Sequence, residues 1–469
     1  MDSSTPKKIF IQNFGCQMND YDAERMVEVM HRQGYATAAT AEEADLIVIN
    51  SCSIRDKAEQ KTASAAGRYR ELKQFKPGLV VAVGGCVAQQ EGERLLRRIP
   101  VADFVFGPDL IPALPSLMAR VSKKRFAATE VIEVEDYEFL DADPEPSAVK
   151  VTALVTIQKG CDNHCAFCVV PTTRGREVSR PADEVIAEVA RFVALGAREV
   201  TLIGQNVNSY HGIGSEDGDD FAELLERVDA VPGLLRQRFT TSHPKDFTPK
   251  VARAFRDFRT VGSWLHLPVQ SGSSRTLKRM VRDYTRAEYL EKIDYLRQLV
   301  PDISLSTDII VGYPGESEAE HQETLSLLEQ VQYDSIYSFE YSARPDTPAL
   351  KLRDSVHGPI KKRRLQEVQT LQRKITAARL RRWIGRDAEV LVEGASKRGA
   401  GQLCGRTRGN ELVHFSAPVG GDEKALIGKL VSVHITGAGT NTLIGQMDSD
   451  VVRRLPLIAA HREADGAVH

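Results

Sequence analysis

The 469-residue sequence predicts an α/β chain in three parts: an N-terminal doubly wound parallel sheet, a central partial (β/α)6 barrel and a small C-terminal β-barrel. Three observations carry this reading. Strand-like and helix-like runs alternate from residue 7 to residue 98 and again from 151 to 341, as parallel α/β sheets require. The chain is too long for one ordinary hydrophobic core. Beyond residue 386 helical periodicity gives way to short β-rich runs separated by glycines.

Apolar residues make up 42% and charged residues 27%, the composition of a soluble globular protein. Lys plus Arg at 62 against Asp plus Glu at 64 leaves a net charge of −2, so any contact with a polyanion must use a local basic patch. Residues 1–11 hold two lysines but no apolar leader, and no run approaches the roughly 18 apolar residues of a membrane helix. A cytoplasmic chain with no membrane partner is expected. Seven cysteines are too sparse for a disulfide scaffold and odd in number, which favours reduced thiols available to metal.

In the first part, residues 9–11 read as a strand and 20–33 as a helix, with Ala23, Met26, Val27 and Met30 on one face and Gly34 as its stop. A strand at 46–49 precedes a helix at 54–72, and a strand at 79–83 precedes a helix at 89–98. Cys16, Cys52 and Cys86 each fall just past the carboxyl end of one of these strands, the rim where open parallel sheets hold ligands. Three thiols distant in sequence are thus predicted to meet. Three unrelated buried cysteines are the alternative, but Gly15-Cys16, Ser51-Cys52 and Gly85-Cys86 sit in turns, which favours ligands. The expected divisions are a first domain at 7–110, a connector at 111–148 that turns acidic, a core at 149–382 ending in a basic helix, a final domain at 383–447 and a tail at 448–469.

The barrel strands are expected at 151–158, 199–204, 237–241, 264–269, 303–311 and 335–341, with helices at 181–195, 221–229, 248–258, 285–299 and 316–331. Their carboxyl rim should carry the site. After the first strand comes Lys159-Gly160-Cys161-Asp162-Asn163-His164-Cys165-Ala166-Phe167-Cys168, then Arg174-Gly175-Arg176. Cys161, Cys165 and Cys168 can converge on one soft metal centre, zinc or an iron–sulfur cluster, and a cubane with three cysteine ligands keeps one iron open for a small molecule. A zinc loop with His164 as fourth ligand is the alternative; the second, distant ligand pair of usual zinc sites is missing. Gln205, Asn206, Ser242, His243, His266, Gln270 and Asp308 fall at the ends of later strands and together line a pocket.

Residues 359–386 carry ten basic side chains against one acid, Glu367, with Leu365, Val368, Leu371 and Ile375 as an apolar stripe, which predicts an amphipathic helix with a basic outer face. Strands are expected after it at 389–393, 412–415, 430–435 and 442–445. Cys404 has no metal partner in sequence. Arg379, Arg381, Arg382 and Arg406 are the candidate contacts to a polyanion.

The three-cysteine spacing, with an aromatic before the last Cys, resembles the radical S-adenosylmethionine (SAM) superfamily. Asn13-Phe14-Gly15-Cys16-Gln17-Met18-Asn19, Asn50-Ser51-Cys52-Ser53-Ile54-Arg55, Gly84-Gly85-Cys86-Val87-Ala88-Gln89, Gly204-Gln205-Asn206, Thr241-Ser242-His243-Pro244, His266-Leu267-Pro268-Val269-Gln270 and Asp308-Ile309-Ile310-Val311-Gly312 resemble the methylthiotransferases. Gln17-Met18-Asn19 and the run from Arg55 to Lys61 most resemble its tRNA branch, and Gly405-Arg406-Thr407-Arg408-Gly409-Asn410 resembles the RNA-binding TRAM domain. The resemblance covers residues 7–447. It implies two 4Fe–4S clusters, one on Cys161, Cys165 and Cys168 with SAM on its open iron, and an auxiliary one on Cys16, Cys52 and Cys86. It also implies Gln205 and Asn206 near SAM, and His266 and Gln270 at the space between the clusters. The activity implied is methylthiolation at C2 of N6-isopentenyladenosine at tRNA position 37, with an electron donor such as flavodoxin or ferredoxin. Rival substrates are threonylcarbamoyladenosine in tRNA and a ribosomal-protein aspartate; rivals of another class are an iron–sulfur electron carrier and a non-catalytic RNA-binding protein.

Overall fold

The computed structural model describes residues 6–53, 56–121, 124–132, 137–140, 150–214, 220–399, 401–417 and 422–447, without the side chains of 56–60. Arg55, residues 122–123, 133–136 and 141–148 of the connector, and the tail after residue 447 lie outside the described residues. The chain forms two compact units, residues 1–372 and 373–469. Among the described residues no helix is long and apolar enough to cross a membrane.

The first unit opens with a six-stranded parallel sheet of β1 (Lys8–Phe14), β2 (Ala36–Thr37), β3 (Leu46–Ser51), β4 (Val80–Gly85), β5 (Phe104–Phe106) and β6 (Phe126–Ala128), in the order β2-β1-β3-β4-β5-β6. Its central strands are continuous apolar runs because both faces are covered. The helix Gln17–His31 lays Met26, Val29 and Met30 on one face beside Leu114 and Leu117. On the other face Ala65, Ala66 and Tyr69 pack with Val87, Ala88, Leu95 and Leu96, so the sheet is doubly wound. The apolar stripe expected on the first helix is corrected here. Val29 is buried and Val27 is not, because the helix start also turns Met18 and Tyr21 toward Leu154 and Ile203 of the barrel, so two faces are covered. The helix expected at 89–98 starts at Cys86 and is broken by Gly92, at φ +48°, into Cys86–Glu91 and Glu93–Arg98.

The barrel strands are β7 (Thr152–Thr156), β10 (Glu199–Ile203), β11 (Arg236–Phe239), β12 (Trp264–His266), β13 (Ser304–Val311) and β14 (Ser335–Glu340); between the first two lies a short hairpin of β8 (Gln158–Lys159) and β9 (Val178–Ser179). They form two parallel three-stranded halves, β11-β10-β7 and β12-β13-β14, linked by a bridge between Gln237 and Val261. The helices Ala182–Ala194, Asp220–Asp229, Pro249–Asp257, Arg286–Leu299 and Glu318–Val331 alternate with them as expected. Arg286–Leu299 and Glu318–Val331 each begin with a capping box, Thr285 with Glu288 and Ser317 with Glu320.

The helix Gly358–Arg381 buries Val368 and Ile375 of its apolar stripe. Two of its first basic residues do not face outward: Lys361 and Arg364 are buried, paired with Asp354 at 2.6 Å and Glu316 at 2.9 Å, while Arg363 stays exposed in a surface pair with Glu318 at 2.7 Å. The second unit holds a closed barrel of β15 (Asp387–Ala395), β16 (Gln402–Thr407), β17 (Leu412–Ser416), β18 (Leu430–Ala438) and β19 (Leu443–Met447), ordered β15-β16-β17-β19-β18. Sequence reasoning missed β16, since its glycine-containing run reads as a loop; pairing on both edges, to β15 and β17, makes it a strand.

Candidate active site

Neighbouring strands β1, β3 and β4 run parallel in a register that sets Phe14 beside Ser51 and Ser51 beside Gly85, so the turns carrying Cys16, Cys52 and Cys86 leave the sheet side by side. Polar side chains lock these turns together. Asn19 accepts from the Cys16 backbone N–H and thiol, each at 3.4 Å, and donates to Asn50 Oδ1 and to the Ser51 carbonyl at 3.2 Å. Asn50 returns a bond to the Asn19 carbonyl at 2.8 Å, and Ser51 Oγ donates to the Gly84 carbonyl at 2.7 Å. Cys16 occupies the N-cap of the first helix and Cys86 the first turn of another, where the N-terminal N–H groups favour an anion. The Cys16 thiol is lowered to about 6, first by its bond with Cys52. Burial pushes Cys86 up.

Past β7 the second cysteine loop is held by backbone bonds. Cys161 N–H donates to the Gly175 carbonyl at 3.3 Å, Ala166 N–H to Met280 at 2.9 Å and Cys168 N–H to Cys165 at 3.0 Å. Burial raises Cys161 to about 11 and Cys168 to about 12, so these thiols ionise only against compensating positive charge. Two side chains reach Cys165 Sγ: Arg282 Nη1 at 3.3 Å and His243 Nε2 at 3.8 Å. Burial, then Arg282, lowers His243 to about 2, so the ring is neutral; its Nδ1 accepts from Lys245 N–H at 3.1 Å, which leaves the proton on Nε2 facing the sulfur.

The two cysteine sites meet through Arg174, which follows the second loop. Its Nε donates to Cys86 Sγ at 3.3 Å, and its two terminal nitrogens hold Asp22 at 3.2 and 2.5 Å. Beside it Gln17 takes a bond from Thr240 Oγ1 at 3.0 Å, and Lys159 pairs with Asp109 at 2.7 Å under the Tyr137 ring. The sequence shows Arg174 as one of two arginines around a glycine, with nothing to mark it; its partner Asp22 is 152 residues away. Arg282 was missed for the same reason.

Gln205 is drawn to the cysteine loop: its Oε1 accepts from Gly160 N–H at 2.6 Å, while Gln158 Oε1 accepts from the Gln205 and Asn206 N–H groups at 2.8 and 3.1 Å. Asn206 donates to Asp246 at 2.7 Å and leaves its Oδ1 buried and unpartnered, as is the Ser242 hydroxyl at the end of the neighbouring strand. Gln270 is buried at φ +71° and takes part in the sheet through its backbone, with Asp308 and Ile310. His266 bonds Ser306 Oγ at 2.9 Å, stacks on Trp264 and meets Tyr337 edge-to-face, with Asp308 at 3.6 Å. In the second unit Arg406 faces Glu393 at 3.3 Å and Asn410 at 3.1 Å, and Arg381 is exposed.

Among the described residues no three His, Cys, Asp or Glu side chains close round one point as a single metal ion requires. A cluster makes a different demand, since each thiolate takes its own iron. Two triads of free thiols, one with Arg and His donors on a sulfur and the other with Arg, suit that donor chemistry. The orphaned Asn206 and Ser242 oxygens suit a small polar ligand beside the second triad.

Known families match each part: uncharacterized protein family UPF0004 over residues 8–107, the radical SAM superfamily over 155–328 and the TRAM domain over 381–447. A tRNA-2-methylthio-N(6)-dimethylallyladenosine synthase from Anaeromyxobacter sp. (strain Fw109-5) is 50% identical, covering 94% of this chain and 95% of its own length. The chain belongs to this synthase family. A second member, from Myxococcus xanthus (strain DK1622), is 49% identical over 94% of each chain. The radical SAM methyltransferase TsrM from Kitasatospora setae, solved with cobalamin and a 4Fe–4S cluster, shares the fold at 12% identity, with a TM-score of 0.54 over 74% of this chain and 77% of its own. The synthase family is enzymatic, and its radical SAM part implies a 4Fe–4S cluster and SAM.

Proposed function

We propose that this enzyme methylthiolates C2 of N6-isopentenyladenosine at position 37 of tRNA, giving the 2-methylthio derivative. The observation that carries the reading is the pair of cysteine triads brought together through Arg174, in a chain half identical to synthases of that name. Two 4Fe–4S clusters and SAM supply the one-electron and radical chemistry that an unactivated aromatic C–H needs and polar side chains lack. Cys161, Cys165 and Cys168 hold the cluster that binds SAM; Cys16, Cys52 and Cys86 hold the auxiliary one. Gln205 fixes the loop through Gly160, and Asn206 and Ser242 offer their orphaned oxygens to the amino-acid end of SAM. His266 and Gln270 border the space between the clusters. Arg174 and Asp22 fix Cys86 against the barrel and close that side to water. Arg379, Arg381, Arg382 and Arg406 meet tRNA phosphates, a flavodoxin or ferredoxin delivers electrons, and the enzyme works in the cytoplasm. The functional divisions are 7–110, 149–382 and 383–447, with the first sheet itself carried on to Ala128 by β6.

Nucleoside analysis of tRNA from cells lacking the protein tests the reading: the 2-methylthio derivative disappears and N6-isopentenyladenosine accumulates. Transcripts without the isopentenyl group are expected to lose at least about tenfold in kcat/KM, the worth of burying roughly two methylenes. Equal activity on both transcripts, or on a ribosomal protein, places the substrate elsewhere. Replacing Arg379, Arg381, Arg382 and Arg406 by Ala should reduce the slope of log K for tRNA against log salt by about 0.7 to 0.9 for each phosphate no longer neutralised, while SAM cleavage without tRNA persists. Filter binding across a salt series reads this, and an unchanged slope makes the basic run a solvated face.

A further inference from the structure

Each cysteine triad has a buried guanidinium on one of its sulfurs, and the two guanidinium groups differ in how their charge is met. Arg282 and Arg174 are each only 5% exposed. Arg282 gives Nη1–H to Cys165 Sγ at 3.3 Å, and its other donors go to uncharged oxygens, Pro268 O at 2.9 Å and Tyr284 OH at 3.0 Å. Among the described residues it meets no carboxylate. Arg174 gives Nε–H to Cys86 Sγ at the same 3.3 Å, but both its terminal nitrogens are held by Asp22. The acid that faces the Arg282 triad, Glu177, stands on the Cys161 side and is bonded by Ser209 at 2.7 Å.

A buried cation beside a sulfur ligand favours the more negative, reduced state of whatever the sulfur holds, and a carboxylate on the same guanidinium cancels most of that field. We propose that the unmatched charge of Arg282, set against the Arg174–Asp22 pair, steers the incoming electron to the site on Cys161, Cys165 and Cys168 in preference to the site on Cys16, Cys52 and Cys86. The inference rests on the reading that each triad holds a cluster. Arg282 is a tuning residue, acting through Cys165, and Asp22 acts through Arg174 to keep the auxiliary site hard to reduce.

The test is a redox titration followed by electron paramagnetic resonance on the anaerobically reconstituted full-length protein without SAM, with iron content measured on every sample. Triple alanine variants of each triad assign the two signals. The wild-type radical site titrates at the higher potential. Arg282→Gln lowers that potential by about 59 mV or more, a tenfold fall in the reduced-to-oxidised ratio for one electron, and Arg282→Lys recovers most of it. Asp22→Asn raises the auxiliary potential by a similar factor and so tests the idea at the other site. Full iron with unshifted potentials in Arg282→Gln and Asp22→Asn overturns the steering, as does an Arg282→Lys protein that matches Arg282→Gln. A triad whose removal leaves the iron content unchanged overturns the two-cluster reading instead.

Discussion

Replacing Cys161, Cys165 and Cys168 together by alanine leaves about half of the iron and abolishes reductive cleavage of SAM, while the auxiliary spectrum survives. The expectation follows from where the loop gets its shape. Its anchors are main-chain bonds, Ala166 N–H to Met280, Ala349 N–H to Ala166 and Cys161 N–H to Gly175, none of which uses a thiol. The cysteines are therefore removable without collapse of the barrel, and on the proposed reading each triad would contribute its own cluster of four irons. Iron analysis and SAM-cleavage assays on the anaerobically reconstituted variant check this. Zinc in the wild-type preparation, or iron unaffected by the triple substitution, would refute it.

Gly160→Ala is expected to lose the radical-site cluster with a single methyl group. Gly160 has φ +74°, where a side chain costs about 1–2 kcal/mol on conformation alone. A Cβ there would stand 1.9 Å from the Arg176 carbonyl oxygen and 2.7 Å from that of Gly175, both backbone atoms that cannot swing aside. The loop must move by about an ångström, which breaks the Gly160 N–H bond to Gln205 and displaces Cys161 from its neighbours. SAM cleavage should fall by at least about a hundredfold, the scale that follows a misplacement of that size, with iron reduced toward half and the melting temperature changed by a few degrees. Normal iron and normal SAM cleavage in this variant would mean that the loop is not held as described.

The alternation of strands and helices was readable because it follows from periodicity, and the meeting of the Cys16, Cys52 and Cys86 turns because each follows one of three strands that lie side by side in the sheet. What escaped reading is of two kinds. Gln402–Thr407 became a strand through partners on both sides, and Gly92 broke a helix whose apolar spacing continued through it. Pairing and backbone handedness of this sort leave no trace in a local pattern. Arg174, Asp22 and Arg282 escaped for another reason, and so did the bond from His243 to a sulfur: each is an ordinary polar residue whose role lies in a contact across the fold. Likewise Lys361 and Arg364 looked like part of an outward basic face, and only the positions of Asp354 and Glu316 show them turned inward.

The lattice of Asn19, Asn50, Ser51 and the Gly84 carbonyl joins three turns by amide and hydroxyl bonds that need no metal. Small zinc domains gain their fold from the ion and lose it to a chelator; here the receptacle is finished beforehand. A cluster assembled on these three cysteines would enter a standing berth and would not have to shape it. Loading would then be separable from folding, because the sheet edge is joined by its own side chains.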